Sequence, residues 1–356
     1  MKTAGKMQGF TSILIVKLSS IGDVVHSLPF LEALKENNPG AKIDWVVERE
    51  ALEVLNGHPA IDRIIVSDRK TWQKALFNGS GCVSVFKEAV QLLRLIRQCK
   101  YDLVVDLQGL FKSGVLVGIS RGGRKIGMAG SREGAGVFLS ERPVPVSYEQ
   151  HAVDRYLEVA KHIGCTVRSI KGPIPFSDSD KRRIKELILS CGEEKRSLIA
   201  INPMARWKTK LWEQDRFALL ADMLIEELGC RVVFTGSSQD VTVIEEISDM
   251  MKHKPINLAG RTSLKELACL YSMCNALITT DTGPMHIAAT MGCKVIALFG
   301  PTDPVRTGPY GQGHRVIRTA IECSPCFKKK CDHRTCMKDI TVERCFDTVS
   351  RTLNNG

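Results

Sequence analysis

Lys17-Leu-Ser-Ser-Ile-Gly-Asp-Val-Val-His26 brings a cation, two hydroxyls, a flexible glycine, a carboxylate and an imidazole into ten residues. An apolar run, Ile13-Leu-Ile-Val16, precedes it and an amphipathic segment, Ser27 to Lys35, follows. The pattern reads as buried strand, polar turn and helix. Turns at the carboxyl ends of parallel strands are where open α/β sheets hold their chemistry. Asp23 is thereby a candidate general base. The plainer alternative is that Ser20 or Asp23 only caps the following helix.

Five further loops carry side chains or turns of interest. Thr280-Asp-Thr-Gly-Pro-Met-His286 joins a strand to a helix. Its glycine permits close backbone approach, its proline suits the first helical turn, and the helix start could hold a phosphate. Asp281 could bind sugar hydroxyls there; the alternative is an ordinary cap. Lys208 and Lys210 follow the first strand of the second half, where a lysine can meet charge developing on a departing diphosphate. The alternative is a solvated loop lysine. Thr235-Gly236-Ser-Ser could bring backbone to a nucleoside ring, and Gly300-Pro-Thr-Asp-Pro304 is a structural turn or a hinge. Cys323-x2-Cys326-x4-Cys331-x4-Cys336 places four thiols within fourteen residues, with His333 beside them. That is a candidate zinc site, or a reduced loop.

The elements that must position these loops alternate strand and helix twice over. Strands are expected at Ile43 to Val47, Ile61 to Val66, Tyr101 to Leu107 and near Ile126, and helices at Val85 to Cys99 and Tyr148 to Ile163. Arg121-Gly-Gly-Arg-Lys125 reads as a basic turn. Lys171 to Asp180, with two prolines, is the linker candidate. The second half restarts at Leu198 to Ile201, then strands at Arg231 to Phe234, Asn275 to Thr279 and Val295 to Phe299. Strands separated by helices imply parallel sheets, and two such sheets could face each other across a cleft. A length of 356 residues also exceeds what one core usually supports. The expected division is 1–172, a linker at 173–180 and a second domain at 181–340, with a final helix at about 341–356 packing back on the first. No GxGxxG, GxxxxGK[ST] or HExxH sequence occurs.

A formal net charge of +11 points to an anionic partner or to a surface kept soluble by charge. Aromatic residues are only 6% of the chain and scattered, which argues against a base-stacking nucleic-acid surface. Residues 1–10 are polar and no signal-peptide core follows. No apolar run approaches the roughly 20 residues of a membrane span. A cytoplasmic protein is expected, touching a membrane at most through basic residues. Cys82, Cys99, Cys165, Cys191, Cys230, Cys269, Cys274 and Cys293, mostly in apolar or helical contexts, are then expected to be reduced, buried thiols.

Lys17-x-Ser-Ser-x-Gly-Asp-Val-x-His26, Lys210-Leu-Trp212, Thr280-Asp-Thr-Gly-Pro-x-His286 and Phe299-Gly-Pro-Thr-Asp303 together resemble the ADP-heptose:lipopolysaccharide heptosyltransferases, glycosyltransferase family nine. The likeness covers about residues 12 to 350, in family order. The opening stretch and His151-Ala-Val-Asp-Arg155 are more like the enzyme that adds the first heptose; the cysteine-rich tail is more like the second-heptose enzymes. The resemblance implies a GT-B fold, two Rossmann-like domains facing across a cleft, the first for the acceptor and the second for ADP-heptose. It implies an inverting reaction that needs no metal.

Carried over by position, Asp23 deprotonates the acceptor hydroxyl and Lys210 stabilises the leaving diphosphate. Asp281 holds heptose hydroxyls, and Thr282, Gly283 and Pro284 hold phosphate with His286 one turn in. Thr235 and Gly236 lie on the nucleotide side, and Asp240 corresponds to a carboxylate that meets the ribose. Where first-heptose enzymes carry paired threonines this chain has Ala205-Arg206, so Arg206 substitutes with charge. Lys17, Ser19, Ser20 and His26 flank the base or the acceptor. Arg121, Arg124, Lys125, Arg132 and Arg142 are candidates for the acceptor's anionic groups. The implied partners are ADP-heptose, an anionic lipopolysaccharide precursor and the cytoplasmic face of the inner membrane, with no nucleic acid. The alternatives are a second-heptose transferase, a GT-B transferase for another nucleotide sugar, and a nucleotide-sugar-binding protein without activity.

Overall fold

Short runs of β-branched and aliphatic residues, buried on both faces, build parallel sheets that helices must cover. Ile13, Leu14, Ile15 and Val16 are of this kind, each fully buried. The computed structural model of the protein describes residues 9–77, 81–189 and 196–354; Cys191 and residues 1–8 lie outside them. The chain divides into two compact units, Met1–Pro175 and Phe176–Gly356.

The first unit holds β1 (Ser12–Val16), β2 (Lys42–Glu48), β3 (Arg63–Ser67), β4 (Lys100–Asp106) and β5 (Arg121–Gly127) in the order β3-β2-β1-β4-β5. The second holds β6 (Leu198–Asn202), β7 (Arg231–Phe234), β8 (Ile256–Asn257), β9 (Ala276–Thr280), β10 (Lys294–Phe299) and β11 (Arg315–Arg318) in the order β8-β7-β6-β9-β10-β11. Every strand pair is parallel. Counted within each unit, the orders are 3-2-1-4-5 and 3-2-1-4-5-6, those of the Rossmann fold. Its ligand position lies where the crossovers change direction, between β1 and β4 and between β6 and β9.

Two elements depart from the sequence reading. Arg121 to Lys125 is not a turn but most of edge strand β5, in register with Lys100 to Val104. Side chain is excluded at Gly122, because a Cβ there would collide with Val104 Cγ2; a glycine that reads as a turn former is a packing requirement instead. The final helix, Val342–Asn354, belongs to the second unit. Val342, Cys345 and Val349 join the core of the second unit, against the helix Gln214–Glu226 and β10.

The thiols follow burial. Burial pushes Cys165 up to about 11 and both Cys293 and Cys345 up to about 12, so little nucleophilic thiolate exists there at neutral pH. Cys82 and Cys323 are exposed. Alkylation of the native protein, mapped by mass spectrometry, is expected to mark Cys82 and Cys323 within minutes and to reach Cys165, Cys293 and Cys345 only after denaturation.

Candidate active site

In the first unit the loops leaving β1 and β4 are stitched together. Gln108 Oε1 accepts from the amides of Leu18 and Ser19, both at 3.1 Å. Buried Asp106 accepts from the amides of Gln108 (2.9 Å) and Gly109 (3.0 Å) and from Ser113 Oγ (3.0 Å). Burial raises the Asp106 carboxyl above its ordinary range, although these bonds and Lys17 oppose the rise. Lys17 is only 3% exposed. Its ammonium donates to Leu107 O at 3.2 Å and lies 5.1 Å from the Tyr156 ring centre. Burial pulls its pKa down, but Tyr156, Asp23 and Asp106 more than offset that, and it stays above the ordinary lysine value. Asp23, half-buried, therefore has a permanent cation beside it.

Asp23 also does what the plainer reading required. It stands at the third position of the helix Ile21–His26, and its Oδ2 accepts from Ser20 N (3.0 Å) and Ser20 Oγ (2.9 Å). Capping and base chemistry are compatible here, because the cap fixes the carboxylate at the strand end. His26 is 4% exposed at the end of the same helix, with its ring centre 5.0 Å from that of His151. Ser19 and Ser20 remain at the mouth of the loop.

A charge cluster that the sequence reading passed over lies beside them. Glu48, at the end of β2 and 1% exposed, accepts from Lys112 at 3.0 Å, Lys70 at 3.1 Å and Arg69 at 3.2 Å. Lys112 also donates to Ser19 Oγ at 3.3 Å. Burial alone would raise the Glu48 carboxyl, yet Lys112 and Lys70 hold it below its ordinary range. A depressed carboxyl stabilises the fold above its unfolded pKa of about 4.3, and that contribution is lost as pH falls through the folded value. Glu48→Gln is therefore expected to melt below the parent at pH 7, with the gap closing below about pH 4. Calorimetry across pH 3–8 checks this; each kcal/mol lost lowers Tm by roughly 2–4 °C in a chain of this size. Two candidate acceptor cations lie elsewhere. Arg124 sits mid-strand in β5, paired with Glu141 at 2.5 Å, and Lys125 Nζ donates to Gly118 O at 3.0 Å. Both are engaged by their own strand's surroundings. Arg142 is exposed in the loop beyond.

In the second unit Lys210, Asp281 and Thr302 converge from the loops after β6, β9 and β10. Lys210 Nζ donates to Asp281 Oδ2 at 2.6 Å and to Asp281 O at 3.3 Å; Thr302 Oγ1 donates to the same carboxylate oxygen at 2.7 Å. The lysine side chain is 15% exposed and the aspartate 8%. Lys210 also lies 4.6 Å from the Trp207 ring centre. Arg206 is exposed one residue before that ring. Thr282 caps the helix Gly283–Thr290 in extended conformation, Pro284 occupies its first turn, and no side chain caps its amides. His286 is 8% exposed within that helix.

The turn after β7 serves packing. Thr235 is fully buried: its Oγ1 meets Tyr271 OH at 2.9 Å and accepts from Asn202 Nδ2 at 3.3 Å. A Cβ on Gly236 would strike Ile244 Cδ1 at 2.5 Å. Thr235 and Gly236 thus have packing duties of their own, and the contact expected of them with a nucleoside is one through backbone. Asp240 closes its own turn, its Oδ2 accepting from Ser237 N (2.7 Å) and Ser237 Oγ (2.6 Å).

The zinc expectation also changes. Among the described residues no three or more His, Cys, Asp or Glu side chains come together as a metal site. Cys336 is buried under the loop after β10, where a Cβ on Gly300 would meet its Sγ at 2.9 Å, whereas Cys323 is exposed. The segment carrying Cys323, Cys326 and Cys331 is held by hydrogen bonds instead. Ser324 Oγ donates to Gly300 O at 2.6 Å, and the amides of Cys326 and Phe327 donate to Pro301 O at 3.1 and 2.7 Å. Thr209 Oγ1 reaches Lys328 O at 2.9 Å. The tail thus buttresses the loops that hold Lys210 and Thr302.

Two Rossmann-like units, each with polar loops at its crossover reversal, are the architecture of the GT-B fold. Residues 89–336 match the profile of glycosyltransferase family 9 (heptosyltransferase). The chain is 30% identical to lipopolysaccharide heptosyltransferase 1 of Pseudomonas aeruginosa over 92% of its length and 89% of that protein's. Among solved structures it is similar to the glycosyl transferase family 9 from Veillonella parvula, with TM-score 0.84, 26% identity, and 97% and 98% of the two chains covered. It is also similar to the E. coli heptosyltransferase WaaC with ADP, with TM-score 0.78, 25% identity, and 96% and 100% covered. The same E. coli enzyme is known with ADP-2-deoxy-2-fluoro heptose. The chain belongs to glycosyltransferase family 9, the heptosyltransferases.

Proposed function

We propose that this heptosyltransferase moves heptose from ADP-heptose to the Kdo-containing inner core of lipopolysaccharide, inverting the anomeric centre without a metal. The observation that carries the reading is the Lys210–Asp281–Thr302 cluster, a cation, a carboxylate and a hydroxyl where a Rossmann unit holds its diphosphate. The relatives support it: a lipopolysaccharide heptosyltransferase by name, and a heptosyltransferase seen with ADP and with a fluorinated ADP-heptose.

In this reading Asp23 takes the proton from the acceptor hydroxyl. The acceptor oxygen attacks C1 of the heptose from the face opposite ADP, so one displacement inverts the centre. Lys210 meets the charge that builds on the leaving diphosphate, the part a divalent cation plays elsewhere. Thr282, Gly283 and the amides beyond them hold phosphate at the helix start, with His286 beneath. Arg206 adds charge, Asp281 orients heptose hydroxyls and Asp240 meets the ribose. Lys17, Ser19 and Ser20 flank the base, and Arg142 with the Lys112 group receives the acceptor's anionic sugars. The acceptor is a lipid, so the enzyme works at the cytoplasmic face of the inner membrane.

The test incubates the protein with ADP-heptose and a lipid A–Kdo acceptor in EDTA. A heptose mass increment with inverted configuration is the expected product. A second-heptose enzyme would instead extend only an acceptor that already carries one heptose. No product from ADP-heptose with either acceptor, but transfer from a UDP- or GDP-sugar, would overturn the reading.

A further inference from the structure

A prominent apolar surface of the first unit that the site does not use flanks the turn of a helical hairpin. Its helices are Arg69–Phe77 and Cys82–Arg97. They pack on each other, and Trp72 Nε1 donates across to Glu88 Oε2 at 2.5 Å. The second helix enters the core only late: Leu92 and Ile96 are buried, and no residue before Leu92 is. The near half stands in solvent, and it is not polar. Phe77 is 92% exposed, Val83 69% and Phe86 70%. Val83 and Phe86, three residues apart, share one helix face. Soluble surfaces rarely gather large side chains in this way without a partner.

Charge decides which partner. Lys74 on the first helix and Lys87, next to Phe86 on the second, flank the apolar side chains, while Arg69 and Lys70 at the far end of the first helix pair with Glu48 and Glu50. Glu88, the one acid of the two helices, keeps its charge while it accepts from Trp72, against six lysines and arginines. A second copy of the chain would bring the same lysines against these and add +11 to +11. An anionic bilayer matches both features: aromatic rings enter the acyl boundary while lysines stay at the headgroups. Among the described residues no helix is long and apolar enough to cross a membrane, so such contact would be peripheral.

We propose that Phe77, Val83 and Phe86 form a membrane-insertion tip that docks the first unit on an anionic lipid surface. The base of the same hairpin reaches the site, because Arg69 and Lys70 bind Glu48, which also binds Lys112. Docking the tip therefore brings the bilayer, and a lipid-borne acceptor within it, to the element that carries the cation cluster. This deepens the reading of a lipid acceptor. Vesicle binding is measured without donor or acceptor, so its failure leaves the transfer reaction standing.

The experiment floats the full chain with phosphatidylethanolamine–phosphatidylglycerol vesicles and with neutral phosphatidylcholine vesicles. Binding is expected to the anionic vesicles and to weaken with salt. The Phe77→Ser/Phe86→Ser variant is expected to lose at least about tenfold in partition, with unchanged transfer to a deacylated, soluble acceptor. Hydrogen exchange on the parent chain checks the surface without any substitution: vesicles should slow exchange in Arg69–Phe77 and Cys82–Arg97. Parent protein that stays off anionic vesicles, a variant that binds as tightly as the parent, or protection confined to another surface each overturns the proposal. So does a parent dimer that the variant dissociates while vesicle binding is absent, since the tip would then join two copies.

Discussion

Asp23→Asn is expected to transfer heptose about 10²- to 10⁴-fold more slowly than the parent, the usual worth of a positioned general base. The amide keeps the shape of the carboxylate and can still accept from Ser20 N, the bond that now measures 3.0 Å. What it cannot do is take a proton. The cost to the fold should be small: the favourable charge at the start of the Ile21–His26 helix is worth about 0.3–1 kcal/mol. That corresponds to a few degrees in Tm at most. In the proposed reading ADP binds the other unit, so its affinity should not change. The expected signature is thus a fall in kcat with the melting point and ADP affinity nearly kept. Ser20→Ala separates the two duties of the carboxylate. It removes the hydroxyl that holds Oδ2 at 2.9 Å but leaves the base in place, so it should slow transfer far less than Asp23→Asn. If the asparagine variant turned over near the parent rate, the proton would be leaving by another route.

What could be read in advance was whatever is local in the chain. The buried run before Lys17 announced β1, and alternation of strand and helix announced two parallel sheets. The Thr280 to His286 turn and the lysines after β6 were visible because each chemistry-bearing group follows its own strand. What could not be read was set by distant residues meeting. Glu48, Arg69 and Lys112 are far apart in sequence, and only the order β3-β2-β1-β4-β5 brings the ends of β2 and β4 to either side of Ser19. Thr302 sat unnoticed in a turn-rich loop because nothing local says that its hydroxyl will find Asp281. Gly122 misled for a physical reason. Glycine marks either backbone freedom or lack of room, and only the neighbour Val104 tells which. The four cysteines misled likewise: spacing suggested a ligand set, but burial of Cys336 beneath Gly300 draws that thiol into packing. The amphipathic final helix could cover any apolar surface, and sequence alone did not say that the second unit's core was the nearer one.

Lys210→Ala is expected to damage stability and rate together, and the double variant Lys210→Ala/Asp281→Ala to pull the two apart. The pair is nearly enclosed, 15% and 8% exposed at a separation of 2.6 Å. Removing the lysine leaves the carboxylate with Thr302 but no cation, and breaking such a pair costs about 3–5 kcal/mol where burial is complete. Slight exposure here puts the expectation toward the lower end of that range. Removing both charges relieves the stranded carboxylate, so the double variant should melt above Lys210→Ala. Catalysis should show no such recovery. A cation at the leaving diphosphate contributes roughly 10²–10³-fold, and the double variant still lacks it. Lys210→Arg is informative in between: charge is kept, but the planar guanidinium does not reproduce the compact ammonium that contacts both Asp281 Oδ2 and Asp281 O. Partial transfer with a near-parent melting point is expected. The decisive comparison is the double variant against Lys210→Ala, read by calorimetry and by initial rates at saturating ADP-heptose. Recovery of stability without rate fits a lysine that acts on the departing diphosphate. Recovery of both would make the pair a structural clasp between the loops after β6 and β9, and the charge that stabilises the leaving group would have to be sought elsewhere in the second unit.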